Sequence, residues 1–422
     1  MHFFKPLIPP SLFRALQPAY HYTLAFLGAV LYRFPSRRIA VIGVTGTKGK
    51  STVTELINAI LEEAGHTTAI ASTIRFKIGT HTEPNLFKMT MPGRFFMQQF
   101  LRKAVSSKCR YAIIEMTSEG VAQFRHTHVD LDGLVFTNLA PEHIESHGSF
   151  ENYLAAKLEL AKALARSAKF RRIMISNADD PHGKEFFVPG ITHAVPFGLH
   201  DAKPYVTDDT GIDFVFSGVR MHSPLRGLFN LSNILAAAAL ARELGIETHT
   251  ICAAIQKLAY IPGRVEFIAK GQSFDVIVDY AHTPESQKAL YEAFPNRRKI
   301  CVLGNTGGGR DRWKRPTMGA LADEYCSHVI LTNEDPYDEN PHTIVAEMVK
   351  GFTRKKPEIL MDRREAIRQA LSLGLQGDVV LITGKGTDPY IMEARGKKIP
   401  WNDARVAEEE LNELLNRVPK KQ

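Results

Sequence analysis

Lys50 and Ser51 stand near the end of the segment VIGVTGTKGKST, Val41 to Thr52. A lysine followed by a hydroxyl residue after a glycine-bearing loop is suited to a nucleotide. The ammonium reaches the β- and γ-phosphates, and the hydroxyl ligates Mg²⁺. Gly46 and Gly49 let backbone N–H groups turn inward around an anion, and a helix N-terminus adds partial positive charge. Thr47, Gly49, Lys50, Ser51 and Thr52 are therefore the expected phosphate cradle. The spacing is not the strict P-loop form, because Val44 stands where its first glycine belongs. The bland alternative is a strand-to-helix turn without a ligand; nucleotide binding is the working premise. Glu115 ends an apolar run, where a second Mg²⁺ ligand belongs in such a sheet, although a solvated strand-end acid reads the same way. His143 follows a strand that should end beside Glu115, and Lys157 falls on a helical stretch where lysine is ordinarily an exposed positive face.

These residues need elements to hold them. The apolar, β-branched run 39–44 predicts a buried strand, and a helix is expected from about Lys50. Val53, Leu56, Ile57, Ile60, Leu61 and Ala64 repeat at the 3.6-residue period of one buried face, and Gly65 is a C-terminal stop. Residues 111–114, 134–137 and 172–176 read as further strands, and 152–165 as an amphipathic helix. Such alternation predicts a mostly parallel sheet covered by helices, with ligands at the carboxyl ends of the strands. Residues 205–221 suggest an antiparallel hairpin turning near Asp209-Thr210-Gly211, and 230–244 an alanine-rich helix closed by Gly245.

Ile261-Pro262-Gly263 reads as a linker, after which the pattern restarts. Strands are expected at 274–278, 299–303, 328–331 and 379–383, and helices at 284–294, 317–325, 343–352, 363–373 and 404–415. The expected organisation is a short apolar segment (1–37), a central ATP-binding domain (38–262) and a C-terminal α/β domain (263–422). The fold class is thus α/β: a P-loop-type ATPase domain with a mostly parallel sheet, followed by a Rossmann-like α/β domain.

Composition narrows the partners. The 422 residues are 44% hydrophobic and 23% charged, as in an ordinary globular protein. Fifty-three basic and 45 acidic residues give a net charge of +8, but the basic residues cluster only briefly. Anionic small substrates explain that balance, and no nucleic-acid partner is expected. Cys109, Cys252, Cys301 and Cys326 are scattered with no C-x-x-C pair, so reduced thiols in a cytosolic setting are expected. The apolar stretch 22–32 is too short to span a bilayer and lacks a cleavage motif. It reads as a helix packed on the domain surface, with a membrane-interfacial helix as the alternative.

The motifs VTGTKGKST, IEMTS, TNLAPEHIESHGSFENYLAAK, NADDP, GLFNLSN, IPGR, DYAHTP, GGGRDRWKRP and GKG occur in this order. Together they resemble the Mur ligase family, and within it the type that adds the third residue of the peptidoglycan stem peptide. The resemblance runs from about residue 39 to residue 406. It implies an ATP-dependent acid–amino-acid ligase that joins a free amino acid to a muramyl-peptide carboxylate through an acyl phosphate. By the same resemblance Lys157 aligns with a lysine that the family N-carboxylates, and Ser51, Glu115, His143 and modified Lys157 would hold Mg²⁺. Asn230 and Asn233 match adenine-side asparagines; Arg264 is a phosphate contact, Asp279 a ribose or phosphate-side contact, and His282 shapes the same pocket. Arg310 would pair with the incoming α-carboxylate, a task suited to a guanidinium fork. Asp335 and Asp388 are candidates for an amine contact, Asp388 being equally readable as a surface loop acid. Thr90 lies in the loop that matches the stem-peptide loop.

Three departures bear on the acceptor and the amino acid. The family's N-terminal uridine-nucleotide-binding domain has no counterpart here, which leaves a lipid-linked or otherwise modified acceptor open. Glu334-Asp335-Pro336-Tyr337 stands where diaminopimelate-adding members carry Asp-Asn-Pro-Arg, so Tyr337 removes a cation and leaves lysine, ornithine or another amine open. The loop from Asn85 to Arg94 lacks the usual threonine-rich form, and Glu119 replaces a common histidine. The remaining alternatives are a folylpolyglutamate- or cyanophycin-type ligase, or an ATP-binding amidotransferase partner acting on a lipid-linked muramyl unit. The expected location is cytoplasmic, at the inner face of the membrane if residues 22–32 make a peripheral contact.

Overall fold

The computed structural model describes residues 10–142 and 144–417. Its centre is an eight-stranded sheet made of β1 (Ala40–Thr45), β2 (Thr68–Ala71), β3 (Arg75–Ile78), β4 (His81–Pro84), β5 (Tyr111–Glu115), β6 (Gly133–Phe136), β7 (Ile173–Asn177) and β8 (His193–Phe197). The strand order is β4-β3-β2-β5-β1-β6-β7-β8, parallel from β2 to β8, with β3 and β4 antiparallel at one edge. The alternation seen in β1 explains why its sequence is a continuous apolar run. Ile42 and Val44 enter the core on one face, while Ile39 and Val41 enter the core on the other. A strand covered on both faces has no polar side to show.

Helix Lys50–Glu63 buries Val53, Leu56, Ile57, Ile60 and Leu61 against the first of these cores. Each such side chain contributes about 1.5–3 kcal/mol when fully buried. The helix ends at the expected place, with Gly65 at φ 79°. Helix Leu228–Glu243 packs on the same face, and helices Arg94–Ser106 and Phe150–Ala165 cover the other. Residues 205–221 form more than a hairpin: β9 (Tyr205–Asp208), β10 (Gly211–Phe216) and β11 (Val219–Ser223) make a three-stranded antiparallel sheet. The second turn falls at Ser217-Gly218, where both residues take positive φ.

A second, six-stranded sheet follows, built from β12 (Glu266–Phe267), β13 (Asp275–Asp279), β14 (Lys299–Leu303), β15 (His328–Leu331), β16 (Glu358–Ile359) and β17 (Val379–Thr383). Its order is β12-β13-β17-β14-β15-β16, with only β12 antiparallel. The expected α/β class is therefore observed. Several short elements escaped the periodicity reading, β2, β8 and helix Thr248–Lys257 among them. Four-residue strands and edge strands such as the wholly exposed β4 carry too few apolar positions to announce themselves.

One expectation is overturned. Cys301 and Cys326 are not free thiols but form a disulfide, with their Cα atoms 6.2 Å apart. Cys301 lies within β14, and Cys326 closes the helix Lys314–Tyr325 that crosses over to β15. Because β14 and β15 pair in parallel, the crossover returns Cys326 beside Cys301. A separation of 25 residues gives no such hint in the sequence. Cys109 and Cys252 remain free.

The N-terminal helix Pro10–Leu31 buries Ala25 and Ala29, with Gly28 close to Phe95 and Gln98 of helix Arg94–Ser106. Tyr22, Phe26, Leu27, Val30 and Leu31 stay exposed. Among the described residues no helix is long and apolar enough to cross a membrane.

His126 is buried, and its Nδ1 has no hydrogen-bond partner. Burial pulls its pKa from 6.5 to about 4, although Glu159 opposes the shift. The folded ring stays neutral while the unfolded ring takes up a proton, so its contribution to stability is complete above pH 6.5 and is lost as pH falls toward 4. Melting temperature measured across that window should fall with pH, and less steeply in His126→Asn. An unchanged slope in the variant would refute this assignment.

Candidate active site

Strand β1 ends at Thr45, and the chain turns through Gly46 and Gly49 into helix Lys50–Glu63. Gly46 has φ 145° and Gly49 φ 83°. A Cβ on Gly46 would lie 1.9 Å from Thr137 Oγ1, and one on Gly49 would lie 2.2 Å from Asn233 Oδ1. The loop therefore passes where only backbone fits. The residues after β6 clamp it: Thr47 N–H donates to the Asn138 carbonyl (2.8 Å), Lys48 N–H to Asn138 Oδ1 (2.9 Å), and Thr137 Oγ1 to the Lys48 carbonyl (2.6 Å). β1 lies between β5 and β6, so the loops after all three strands meet at one carboxyl edge.

Two lysines converge on this loop. Lys50 Nζ donates to the carbonyls of Gly46 (3.0 Å) and Thr47 (2.8 Å), and Lys157 Nζ donates to the same Gly46 carbonyl at 2.7 Å. Lys157 is buried rather than solvated, with its ammonium 4.7 Å from the centre of the Tyr153 ring. Tyr153 in turn shares a hydrogen bond with Thr47 Oγ1 at 2.9 Å. Burial, then the neighbouring Lys50 charge, holds the Lys157 pKa well below the usual lysine range. Lys50 is lowered too, by burial, against the pull of Glu115 and Glu142.

Opposite the lysines lies an oxygen-rich corner. Ser51 Oγ is 3.2 and 3.1 Å from the two oxygens of Glu115, and Thr73 donates to them from its N–H (2.8 Å) and its hydroxyl (3.0 Å). Thr90 joins through Thr73 at 2.8 Å. Glu115 is buried, so the solvated strand-end reading fails. A hydroxyl beside a buried carboxylate supplies hard oxygen donors and fits Mg²⁺. His143, expected as a further ligand, lies outside the described residues. Among those described, no group of three or more His, Cys, Asp or Glu side chains is placed to hold a metal ion.

The carboxyl edge of the second sheet faces this corner. Arg264 donates to Ser51 Oγ at 3.3 Å and lies 4.5 Å from the centre of the Tyr280 ring. His282 faces the Tyr280 carbonyl (2.7 Å) and Glu142 (3.1 Å), and Lys48 donates to that same Glu142 oxygen at 2.9 Å. Burial and Lys48 pull the His282 pKa down to about 4, against the raising effect of Glu142. Asp279 accepts from Val265 N–H (2.8 Å) and Ala281 N–H (2.6 Å), which makes it a brace for the turn joining the two units. A cavity of about 340 Å³ opens there, lined by Gly49, Thr52, Asn230, Asn233, Arg264 and His282 among others. Asn230 and Asn233 hydrogen-bond to each other at 3.1 Å. A second cavity of about 330 Å³ shares Lys48, Arg264 and His282 with the first, and runs past Lys50, Glu115 and Lys157 to Lys88 and Arg310.

Its far end is acidic and basic at once. Asp335 accepts from Lys385 Nζ (2.8 Å) and Met392 N–H (2.8 Å), and Asp388 lies 3.3 Å from Lys385. Both acids also pair with Lys88 of the central unit. Asp388 is buried, so it is not a surface loop acid. Arg310 stands 5.7 Å from the centre of the Tyr337 ring, and Lys88 stands 5.9 Å from it. The cation lost through Tyr337 is thus offset by two others at the same point.

Profiles of known families match in two places: the Mur ligase middle domain over residues 44–241 and the Mur ligase glutamate ligase domain over residues 263–386. A UDP-N-acetylmuramoyl-L-alanyl-D-glutamate–2,6-diaminopimelate ligase of Syntrophomonas wolfei is 36% identical, over 92% of this chain and 81% of its own length. The chain belongs to the Mur ligase family.

A UDP-N-acetylmuramyl-tripeptide synthetase of Roseiflexus is 35% identical over 93% of this chain and 82% of its own. Among solved structures, a diaminopimelate ligase of the same name as the first relative superposes with a TM-score of 0.61 at 28% identity, covering 90% of this chain and 79% of its own. The folylpolyglutamate synthase of Mycobacterium tuberculosis reaches a TM-score of 0.70 over 94% and 96%, but at 15% identity it attests to the fold alone. As a member of that family the chain is an ATP-dependent ligase. Its cradle suits ATP, and its Ser51–Glu115 corner suits Mg²⁺.

Sequence reasoning passed over Lys48, Thr73, Lys88, Asn138, Glu142, Tyr153 and Lys385 in this site. Glu142 adjoins His143 within TNLAPEHIESHG, and Lys385 is the lysine of GKG, so both were in view. Thr73 sits in a segment with no motif, and Lys88 lies in the 85–94 loop from which only Thr90 was singled out. Because Gly46 passes so close to Thr137, Gly46→Ala should weaken binding of a non-hydrolysable ATP analogue at least tenfold by calorimetry, an energy of about 1.4 kcal/mol. Binding within twofold of the parent would show that the cradle tolerates a side chain.

Proposed function

We propose that this chain adds a diamino acid, diaminopimelate or a lysine-like amine, to the carboxylate of a muramyl peptide in peptidoglycan precursor synthesis. The observation that carries this reading is the meeting of two depressed-pKa lysines at the Gly46 carbonyl, facing a carboxylate–hydroxyl corner. A site that sets Lys50 and Arg264 beside a glycine-bearing loop is suited to charge concentrated on a transferring phosphoryl group. Lys50 and Arg264 would neutralise that charge, and the two cavities, joined at Lys48, Arg264 and His282, would bring nucleotide and acceptor to one point. The relatives' names supply the substrate class, and the acyl-phosphate route is the one the family resemblance implies. We assign residues 38–262 to the nucleotide and acceptor and residues 263–422 to the incoming amino acid.

Lys157 is the residue proposed for N-carboxylation. Its lowered pKa favours the neutral amine, the form that adds to CO₂ with loss of one proton to give a carbamate anion. Ser51, Glu115 and His143 would hold Mg²⁺ together with that anion. Bound there, the metal would act as a Lewis acid that stabilises phosphoryl charge. Asn230 and Asn233 would meet the adenine side, Thr47, Gly49 and Thr52 the phosphates, and Arg310 the incoming α-carboxylate. Thr90, bonded to Thr73 beside Glu115, would face the acceptor. A cytoplasmic location fits these substrates. The exposed apolar side chains of helix Pro10–Leu31, followed by Arg33, Arg37 and Arg38, suit a peripheral membrane contact through residues 22–32.

The deciding experiment crosses muramyl dipeptide acceptors, with and without a UDP group, against diaminopimelate, lysine and ornithine, with ADP release as the readout. Lys157→Ala should lose turnover by about 10³-fold or more, as expected when electrostatic groups of this kind are removed, with partial rescue by short carboxylates. Full activity in that variant would remove Lys157 from the metal bridge. In Lys50→Ala, acyl-phosphate formation should be suppressed; undiminished phosphate release with acceptor present would refute its role.

A further inference from the structure

The loop 85–93 links the two halves of the site. Asn85 pins its start, donating to the carbonyls of Ser72 (2.8 Å) and Met89 (3.1 Å) and accepting from Phe87 N–H (3.0 Å). The Phe87 ring packs on Phe76 and Phe96, and Thr90 ties the other side to Thr73. Between these anchors Lys88 takes φ 53°, a region that residues with a Cβ rarely adopt. Its side chain crosses the cleft and is largely buried, at 14% exposure. There its ammonium meets Asp335 and Asp388, the latter at 3.1 Å.

The charges at this point are nearly balanced. Asp335 and Asp388 face Lys385, which is fully buried, and Lys88, which comes from the opposite wall. Arg310 adds one further cation by the Tyr337 ring. Although burial pulls its pKa down, Asp388 and Asp335 hold Lys88 above the ordinary lysine value, so it is charged. A substrate carrying only a distal ammonium must take Asp388 from Lys88, which is left to share Asp335 with Lys385, so three cations face two carboxylates. Leaving a buried charge without its partner is costly. A distal end bearing both an ammonium and a carboxylate brings a complete pair, and one ion pair is exchanged for two.

We propose that Lys88 is a specificity-determining residue, the cation that receives the distal carboxylate of the incoming diamino acid while Asp388 receives its distal ammonium. This rests on the ligase reading above and sharpens it: the amino acid is zwitterionic at its far end. It also makes the central unit, not only the C-terminal one, a reader of the amino acid.

The test compares kcat/KM for meso-diaminopimelate and L-lysine in the full-length chain, with ATP, Mg²⁺ and a UDP-muramyl dipeptide, read as amino-acid-dependent ADP release. In Lys88→Met the value for diaminopimelate should fall about tenfold or more, the loss of one well-placed charge contact. The value for L-lysine should rise, because Asp388 is released to its ammonium. Lys88→Arg should restore the parental preference. If both values fall together, or their ratio does not move, Lys88 is only a strut across the cleft and the inference is wrong. A parent chain that releases ADP with no amino acid at all would instead overturn the ligase reading, and this inference with it.

Discussion

Two lysine side chains held at one carbonyl oxygen set the terms for the rest of this structure. Lys50 and Lys157 both reach Gly46 O, Lys157 fully buried and Lys50 half-buried at the wall of the cavity. Like charges in a buried place lower each other's pKa and favour an arriving anion. Holding them together requires a loop without side chains, which Gly46 and Gly49 provide. It also requires a helix that carries Lys157 inward, which Phe150–Ala165 does by burying Tyr153, Leu160, Ala161 and Leu164 along with it. The Ser51–Glu115 corner is the complementary part, placed at the end of the neighbouring strand.

The second constraint is that the carboxyl edges of two sheets face one another. Several polar contacts join the two units there, among them Arg264 to Ser51, His282 to Glu142, Lys88 to the Asp335–Asp388 pair and Arg226 to Asp275, and Phe229 of the first unit packs on the core of the second.

Much of the fold was legible because buried parallel strands and amphipathic helices leave strong patterns. β1, β14, β15 and β17 lie within a residue of their expected ranges, as a strand covered on both faces must be apolar throughout. The cradle was legible for a different reason: its chemistry needs glycines, a lysine and a hydroxyl at consecutive places. Less visible were the parts that depend on distant chain segments. Glu142 gains meaning from Lys48 and His282 among its partners, and Asp279 braces a turn through Val265 and Ala281. The Cys301–Cys326 bond was hidden because a crossover, not a spacing, brings the two sulfurs together.

The sequence by itself pointed to the α/β architecture and the glycine-bearing strand–loop–helix turn, and it singled out Lys50, Ser51, Glu115 and Lys157 as candidates around that turn. Local residue types and periods encode these directly, since each is made within one strand–loop–helix unit or sits at a strand's end. The tertiary structure alone decided which side chains share a charge. It put Lys157 on Gly46, it made Glu115 a buried partner of Ser51, and it carried Lys88 across the cleft to Asp335 and Asp388. The physical reason is that electrostatic partnership depends on distance through space and on burial, and neither is written in the order of residues along the chain.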